Sequence, residues 1–297
     1  MRLFRMSFKA MAAVNEIQLY AEDEARAKAA AMATRDEVLR IEAKFSRYRP
    51  DSIVSRINAA AGEAPVPIDE ETLGLLAFAD ACHENSGGLF DPTAGVLRAA
   101  WNFQVDHVPS DAELAPLLGL IGWKKVELTD TTVRLPEYGM ELDFGGFGKE
   151  YAVDRAAVIL KEKGFTSALV NLAGDLAILG TLDDGLPWRV GIKHPRVADA
   201  VIAQLPVSSG ALATSGDYER FIEVDGVRHC HILDPRTGRS ARGLRSVTVH
   251  APTCLVAGSA TTIAMLKGER EGLAWLKSLG LKHYCMLGNG EIVDRFK

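Results

Sequence analysis

Five short clusters in the chain carry residue types that bind anions or metal ions or move protons. The first is Asp143-Phe144-Gly145-Gly146-Phe147-Gly148-Lys149. Glycines at a strand-to-helix joint let a ligand approach the backbone closely and expose amides at a helix start. Lys149 can contact a phosphate, and Asp143, just ahead of the turn, suits a metal or a ligand hydroxyl. A plain glycine-rich joint with an exposed lysine is the structural alternative. The order GGFGKE matches neither the phosphate loop GxxxxGK[ST] nor the dinucleotide pattern GxGxxG, which disfavours a Rossmann domain. The second cluster runs from Asn171 to Asp175 between two apolar stretches; its Asn and Asp either bind a ligand or cap a turn. The third is Ala213 to Tyr218, where Ser215 and Gly216 can surround phosphate oxygens and Asp217 can orient a ligand or a neighbour. In the fourth, His229 to Gly238, alternation puts His229 and His231 on one strand face and Cys230 on the other. A third zinc ligand is not obvious there, and Arg236 beside a proline turn suits a phosphate, a carboxylate or a local salt bridge. The fifth, Ser259-Ala260-Thr261-Thr262, either caps an apolar helix or offers hydroxyl oxygen to a hard cation.

These clusters need elements to hold them. Residues 10–20 read as an opening strand, and the Ala-, Glu- and Arg-rich run that follows reads as a long helix with an apolar stripe of Ala29, Met32, Val38, Ile41 and Phe45. Residues 52–62 read as a short helix. Asp69 caps another that ends at Gly87-Gly88, and a loop restricted by Pro92 follows. A short helix is expected from Ser110 to Leu118, then a hairpin turning near Thr129-Asp130-Thr131. MELDF reads as a strand leading into a helix through Lys149. Two short strands are expected around Asn171–Asp175, a hairpin at Asp225-Gly226, a strand in LRSVTVHAP, and helices in LVAGSATTIAML and EGLAWLKS before a final hairpin. The turns favour antiparallel pairing, so the expected fold class is α+β rather than doubly wound. No internal repeat or low-complexity linker divides residues 1–297, which read as one domain.

Hydrophobic residues make up 47% and charged residues 25%, enough for a substantial core. A formal net charge of -5 offers no general attraction to nucleic acid or anionic lipid, although a local basic pocket is compatible with it. The four cysteines form no CxxC pair and read as reduced, buried thiols. Arg5, Lys9, Asn15 and Glu16 interrupt the N-terminal apolar residues, so no secretory signal is recognised, and no transmembrane span is expected. The chain reads as cytoplasmic.

Taken in order, Met11, Phe45-Ser46, DSIVSRIN at 51–58, GLFDPT at 88–93, DFGGFGKEYAVD, VNLAGD, ATSGDY, HILDPRTG and the APTC…T region resemble the ApbE family, the FAD:protein FMN transferases. The resemblance covers most of the chain. It implies a mixed fold of largely antiparallel sheets and flanking helices around a flavin cleft. It further implies FAD as substrate, Mg2+ as cofactor, and transfer of FMN to a Thr or Ser hydroxyl of an acceptor flavoprotein in a redox system, releasing AMP. Asp143 becomes a candidate orienter or base, with Lys149 and His231 beside the diphosphate. Met11 is placed against the flavin ring. Asp91, Thr93, Asn171 and Asp175 become further flavin-nucleotide contacts, together with Ser215, Asp217 and Arg236.

For the metal, Gly148 matches a position whose backbone carbonyl is a ligand, and Thr262 matches the hydroxyl of a D-x-x-x-T segment. Gly258 stands where that segment's Asp is expected, and Glu150 replaces the usual glycine after the lysine. Magnesium prefers nearly octahedral oxygen coordination, so losing a carboxylate removes both charge and a ligand. Restoring Asp at Gly258 is therefore expected to strengthen magnesium binding. Two alternatives share the ligand: a binding-only FAD protein or flavin carrier, and an FAD pyrophosphatase that releases FMN and AMP.

Overall fold

The computed structural model describes residues 1–296. Its centre is an eight-stranded sheet: β1 (Arg2–Ala10), β2 (Ala13–Ala21), β3 (Ala168–Leu172), β4 (Asp175–Leu179), β5 (Gly210–Gly216), β6 (Leu244–Ala251), β7 (Lys282–Leu287) and β8 (Ile292–Asp294). Each strand pairs antiparallel with the next, so the sheet is a meander interrupted by long insertions. The fold is therefore α+β, as the turn-rich pattern implied.

β1 lies outside the sequence expectation, which placed the first strand at residues 10–20. Its Arg5, Ser7 and Lys9 face solvent while Phe4, Met6 and Phe8 turn toward the core, a period-two pattern. Outward charges on this edge strand discourage pairing with other chains. Met11 and Ala12 join it to β2 with φ of 53° and 59°, the left-handed pair that matches the twist of a tight hairpin.

The insertion after β2 carries α1 (Glu24–Phe45), α2 (Ile53–Ala59), α3 (Glu70–Ser86), a 3-10 turn (Pro92–Ala99), α4 (Asp111–Leu120) and α5 (Gly148–Glu162). The insertion after β6 is α6 (Cys254–Ser278). Helices α1, α5 and α6 cover one face of the sheet, where Ile17, Val170, Ala177 and Val247 meet Ile41, Val153 and Ala257 in the main core. A hairpin of strands Trp188–Lys193 and Val201–Val207 covers the other face, burying Leu169, Ile178 and Leu212 under Trp188, Val190 and Leu205. Alternation along β3 and β4 sends neighbouring residues to opposite cores. Among the described residues no helix is long and apolar enough to cross a membrane.

Three local expectations need correction. Residues 140–144 (MELDF) join no sheet. The Asn58 side chain holds this segment instead, donating to the Leu142 carbonyl at 2.9 Å and accepting from its amide at 2.7 Å. The loop expected at Pro92 is a 3-10 turn capped by Asp91. The two C-terminal helical segments are continuous in α6 except for a break at Gly268, whose φ is 74°.

Candidate active site

A cleft of about 1420 Å³ opens beside the helical face of the meander. Its wall is built from the Met11 turn, the loop after α1, the Asp143–Lys149 joint, the β3–β4 turn, the end of β5 and the segment leaving the Asp225 hairpin at His231. The first turn of α5 forms its floor. Phe147 caps that helix with no side-chain hydrogen bond; the Gly148 amide donates to the Phe144 carbonyl at 2.6 Å, and the amides of Lys149 and Glu150 have no capping side chain. Such a terminus attracts anions. Gly216 is required at the end of β5, because a Cβ there would lie 2.2 Å from the ring of Tyr218, which lines the cleft.

The charged groups divide sharply by their partners. Lys149 on α5 forms an ion pair with Asp175, the first residue of β4, and Asp175 also accepts from the Thr214 amide at 3.3 Å. Asp143 is ion-paired with Arg47 and accepts from the Gly145 amide at 2.9 Å. Lys193, Arg189 and Arg220 add positive charge to the cleft. Glu42, Asp91 and Glu219 line it as well, so the cleft mixes both signs of charge and is not the purely basic pocket that the net charge allowed.

Glu150 differs from all of these. Its side chain is 9% exposed, one carboxylate oxygen lies 3.9 Å from Lys149 Nζ, and the other has no hydrogen-bond partner. Thr262 and Ser215 face the same region, with their hydroxyls 3.4 Å apart, and Ser215 also bonds Thr261 at 2.8 Å. Gly148, Glu150, Ser215 and Thr262 all line the cleft.

His231 also lines the cleft. It falls just after the strand Val227–Cys230, whereas His229 is buried within that strand beside Trp101 at a ring separation of 5.8 Å. The shared strand face expected for the two histidines is therefore not formed, because the strand ends between them. His231 Nδ1 lies 3.2 Å from the Arg220 carbonyl, so that nitrogen must carry the proton and Nε2 is left as an acceptor. His231 is solvent-accessible at the cleft wall, yet partial desolvation there, with the charges of Arg220 and Lys149, lowers its pKa and favours neutral imidazole; the Arg220 carbonyl opposes this only in part.

Other sequence candidates meet the cleft or leave it. Met11, Asp91, Asn171, Asp175 and Ser215 line it. Asn171 accepts from the Gly174 amide at 2.9 Å, so it also serves the turn. Both Asp91 oxygens are used internally, by Thr93 and by the Trp123 amide at 3.0 Å, and the buried Thr93 accepts from the Gly122 amide at 2.8 Å. Asp217 is clamped by Arg196 through two contacts of 2.6 Å away from the main cleft. Arg236 pairs with Asp234 at 2.7 Å and does not line the cleft, which is the local salt bridge that the sequence left open. Gly258 sits behind the wall, against Glu150.

The ApbE family model matches residues 11–285. The chain belongs to the ApbE family. An FAD:protein FMN transferase of Klebsiella pneumoniae is 34% identical over 282 residues, covering 93% of this chain and 86% of that protein. The crystal structure of the ApbE protein from Thermotoga maritima superposes with a TM-score of 0.90 at 34% identity, over 99% of this chain and 97% of that one. The flavin transferase ApbE from Vibrio cholerae gives 0.89 at 26% identity, over 99% and 96%. The meander and its helical cover are thus the ApbE fold, and FMN transfer is the activity for which the Klebsiella relative is named.

Among the described residues no three His, Cys, Asp or Glu side chains gather as a metal-binding group. A hard cation does not require one. The cleft of this ApbE protein supplies a threonine hydroxyl, the Gly148 backbone and one buried carboxylate oxygen with an open lone pair, and that oxygen donor set fits magnesium. Sequence reasoning missed Arg47, which pairs with a residue 96 positions away, and the Arg220 carbonyl, which sets the tautomer of His231. Arg47 directly follows the Phe45-Ser46 element, and that adjacency was the available signal.

Proposed function

We propose that this chain transfers FMN from FAD to a Thr or Ser hydroxyl of an acceptor flavoprotein, with magnesium assistance. The observation that carries this reading is the convergence of the uncapped α5 start, Lys149 and His231 on one cleft of the ApbE fold. The acceptor oxygen forms a bond to the FMN-side phosphorus while the bond from that phosphorus to the bridging oxygen breaks. AMP leaves with the bridging oxygen, and the hydroxyl proton passes to a base.

His231 suits that last role. Its Nε2 lone pair is free, and its surroundings keep the ring neutral at physiological pH. Asp143 is less available, because Arg47 and the Gly145 amide occupy its carboxylate. Lys149 and the α5 amides stabilise charge on the diphosphate. Magnesium, held by the Thr262 hydroxyl and the Gly148 carbonyl, would neutralise further diphosphate charge as the leaving group forms.

The test is incubation with FAD, Mg2+ and a Thr-bearing acceptor. Intact mass should show the acceptor gaining FMN while chromatography shows AMP. The rate should fall as pH drops through a pKa below the ordinary 6.5 of histidine, since protonation removes the base. His231→Ala should slow transfer by about 10²–10⁴-fold. Free FMN plus AMP without a labelled acceptor would replace transfer with hydrolysis. Tight FAD binding with neither product would leave a binding protein.

A further inference from the structure

Gly258 and Glu150 are not independent departures from the expected pattern. A Cβ built at Gly258 would lie 2.5 Å from Glu150 Cγ and 3.0 Å from both its Cδ and its Oε1. The Glu150 carboxylate thus fills the space into which a residue-258 side chain would project. The junction of α5 with α6 sets this approach. Asp154, one turn further along α5, accepts from the amides of Cys254 at 2.6 Å and Leu255 at 2.9 Å, fastening α5 to the start of α6. One turn further along α6 from Cys254 is Gly258, and one turn beyond that is Thr262. The same helix pair that clamps Asp154 therefore presents Glu150 to the face of α6 that carries Thr262.

Chemistry points the same way. A carboxylate oxygen buried without a hydrogen bond costs free energy unless an ion or another partner meets it. Thr262, Ser215 and Gly148 line the same cleft and offer hydroxyl and carbonyl oxygens. That set selects a hard divalent cation.

We propose that Glu150 supplies the acidic ligand of the divalent-cation site, entering from α5 into the space left open by Gly258 on α6. The carboxylate has changed helices while keeping its place beside Thr262. This inference rests on the reading that a cation sits beside the flavin diphosphate. On this proposal Gly258→Asp alone would not improve the site, because Glu150 already occupies that volume.

Manganese titration of the FAD-loaded protein, followed by electron paramagnetic resonance, tests it alongside FAD affinity measured in chelator. Glu150→Gln should weaken Mn2+ binding at least about tenfold. In chelator the same variant should bind FAD as well as the parent or more tightly, since a negative charge facing the diphosphate has gone. Gly258→Asp alone should not raise Mn2+ affinity, whereas the combined Glu150→Gly and Gly258→Asp exchange should return it to within about threefold of the parent. Unchanged Mn2+ affinity in Glu150→Gln would overturn the proposal while acceptor labelling by the parent still upheld the transferase. Equal loss of FAD affinity in chelator would show a structural role for Glu150 and overturn it too. A parent protein that binds FAD but no Mn2+ would end both this inference and the magnesium-assisted reading. Should Glu150→Gln not fold, Glu150→Asp, which retains the charge but withdraws it by one methylene, is held to the same criteria.

Discussion

Adjacent residues of α5 look into two different electrostatic worlds. Tyr151 donates to Glu71 at 2.7 Å, and Glu71 also receives Arg40 at 2.6 Å and Lys44 at 2.6 Å. Burial alone would raise the Glu71 pKa, but the hydrogen bonds from Arg40, Lys44 and Tyr151 outweigh it and bring it down to about 2. Glu150, one residue earlier, has one oxygen with no partner and only the Lys149 ammonium, 3.9 Å away, near the other. Glu71 is finished by the chain, whereas Glu150 is finished only when something else arrives. A carboxylate whose bonding capacity the protein has already consumed stabilises the fold, and one held open at a cost belongs to a ligand.

The largest test of this contrast is the buried pair inside the cleft. Lys149→Ala leaves Asp175, which is 4% exposed, without its cation. Chemical denaturation should show a loss of about 3 kcal/mol, together with weaker FAD binding. A loss below about 0.5 kcal/mol would mean that pairing with the chain does not decide stability here.

Next comes Glu71→Gln. Because the folded pKa lies below the ordinary 4.5, the Glu71 contribution is complete above about pH 4.5 and disappears as pH falls toward about 2. The substitution should cost on the order of 1–2 kcal/mol at neutral pH after allowance for solvent screening. It should also flatten the acid limb of the stability profile, and an unchanged limb would break the contrast from the Glu71 side.

The smallest effect is expected at Glu150. In metal-free buffer Glu150→Gln should change stability by less than about 0.5 kcal/mol or raise it, because the change removes a buried charge with one unsatisfied oxygen and only a long contact to Lys149 at the other. A melting-temperature drop matching that of Glu71→Gln would place both carboxylates in the same structural class.

Much of this was legible from residue order. The α1 helix, the Asp69 cap, the Asp225-Gly226 turn and the antiparallel bias are local matters of propensity and turn chemistry, and each is present in the fold. Of the expected α1 stripe, however, only Val38, Ile41 and Phe45 are buried, while Ala29 and Met32 face solvent and Ala27, Ala30 and Ala31 pack in their place. The cleft residues were legible as a set because Lys149, Asn171, Asp175, Ser215, His231 and Thr262 sit in compact motifs. β1 was overlooked because alternating arginine and lysine were weighed as charge and not as the outer face of an edge strand. MELDF was misplaced because its extended backbone is satisfied by the Asn58 side chain, a partner that periodicity does not reveal.

By itself the sequence determined the family, the α+β class and the types of donor available, since these depend on local pattern and motif order. Only the tertiary structure decided which donors remain open. Asp217 and Arg236 turn to Arg196 and Asp234, while packing of α5 against α6 brings Glu150 onto Gly258. Residues 150 and 258 are far apart along the chain, and the side-chain volume that one gives up and the other fills exists only once the two helices meet.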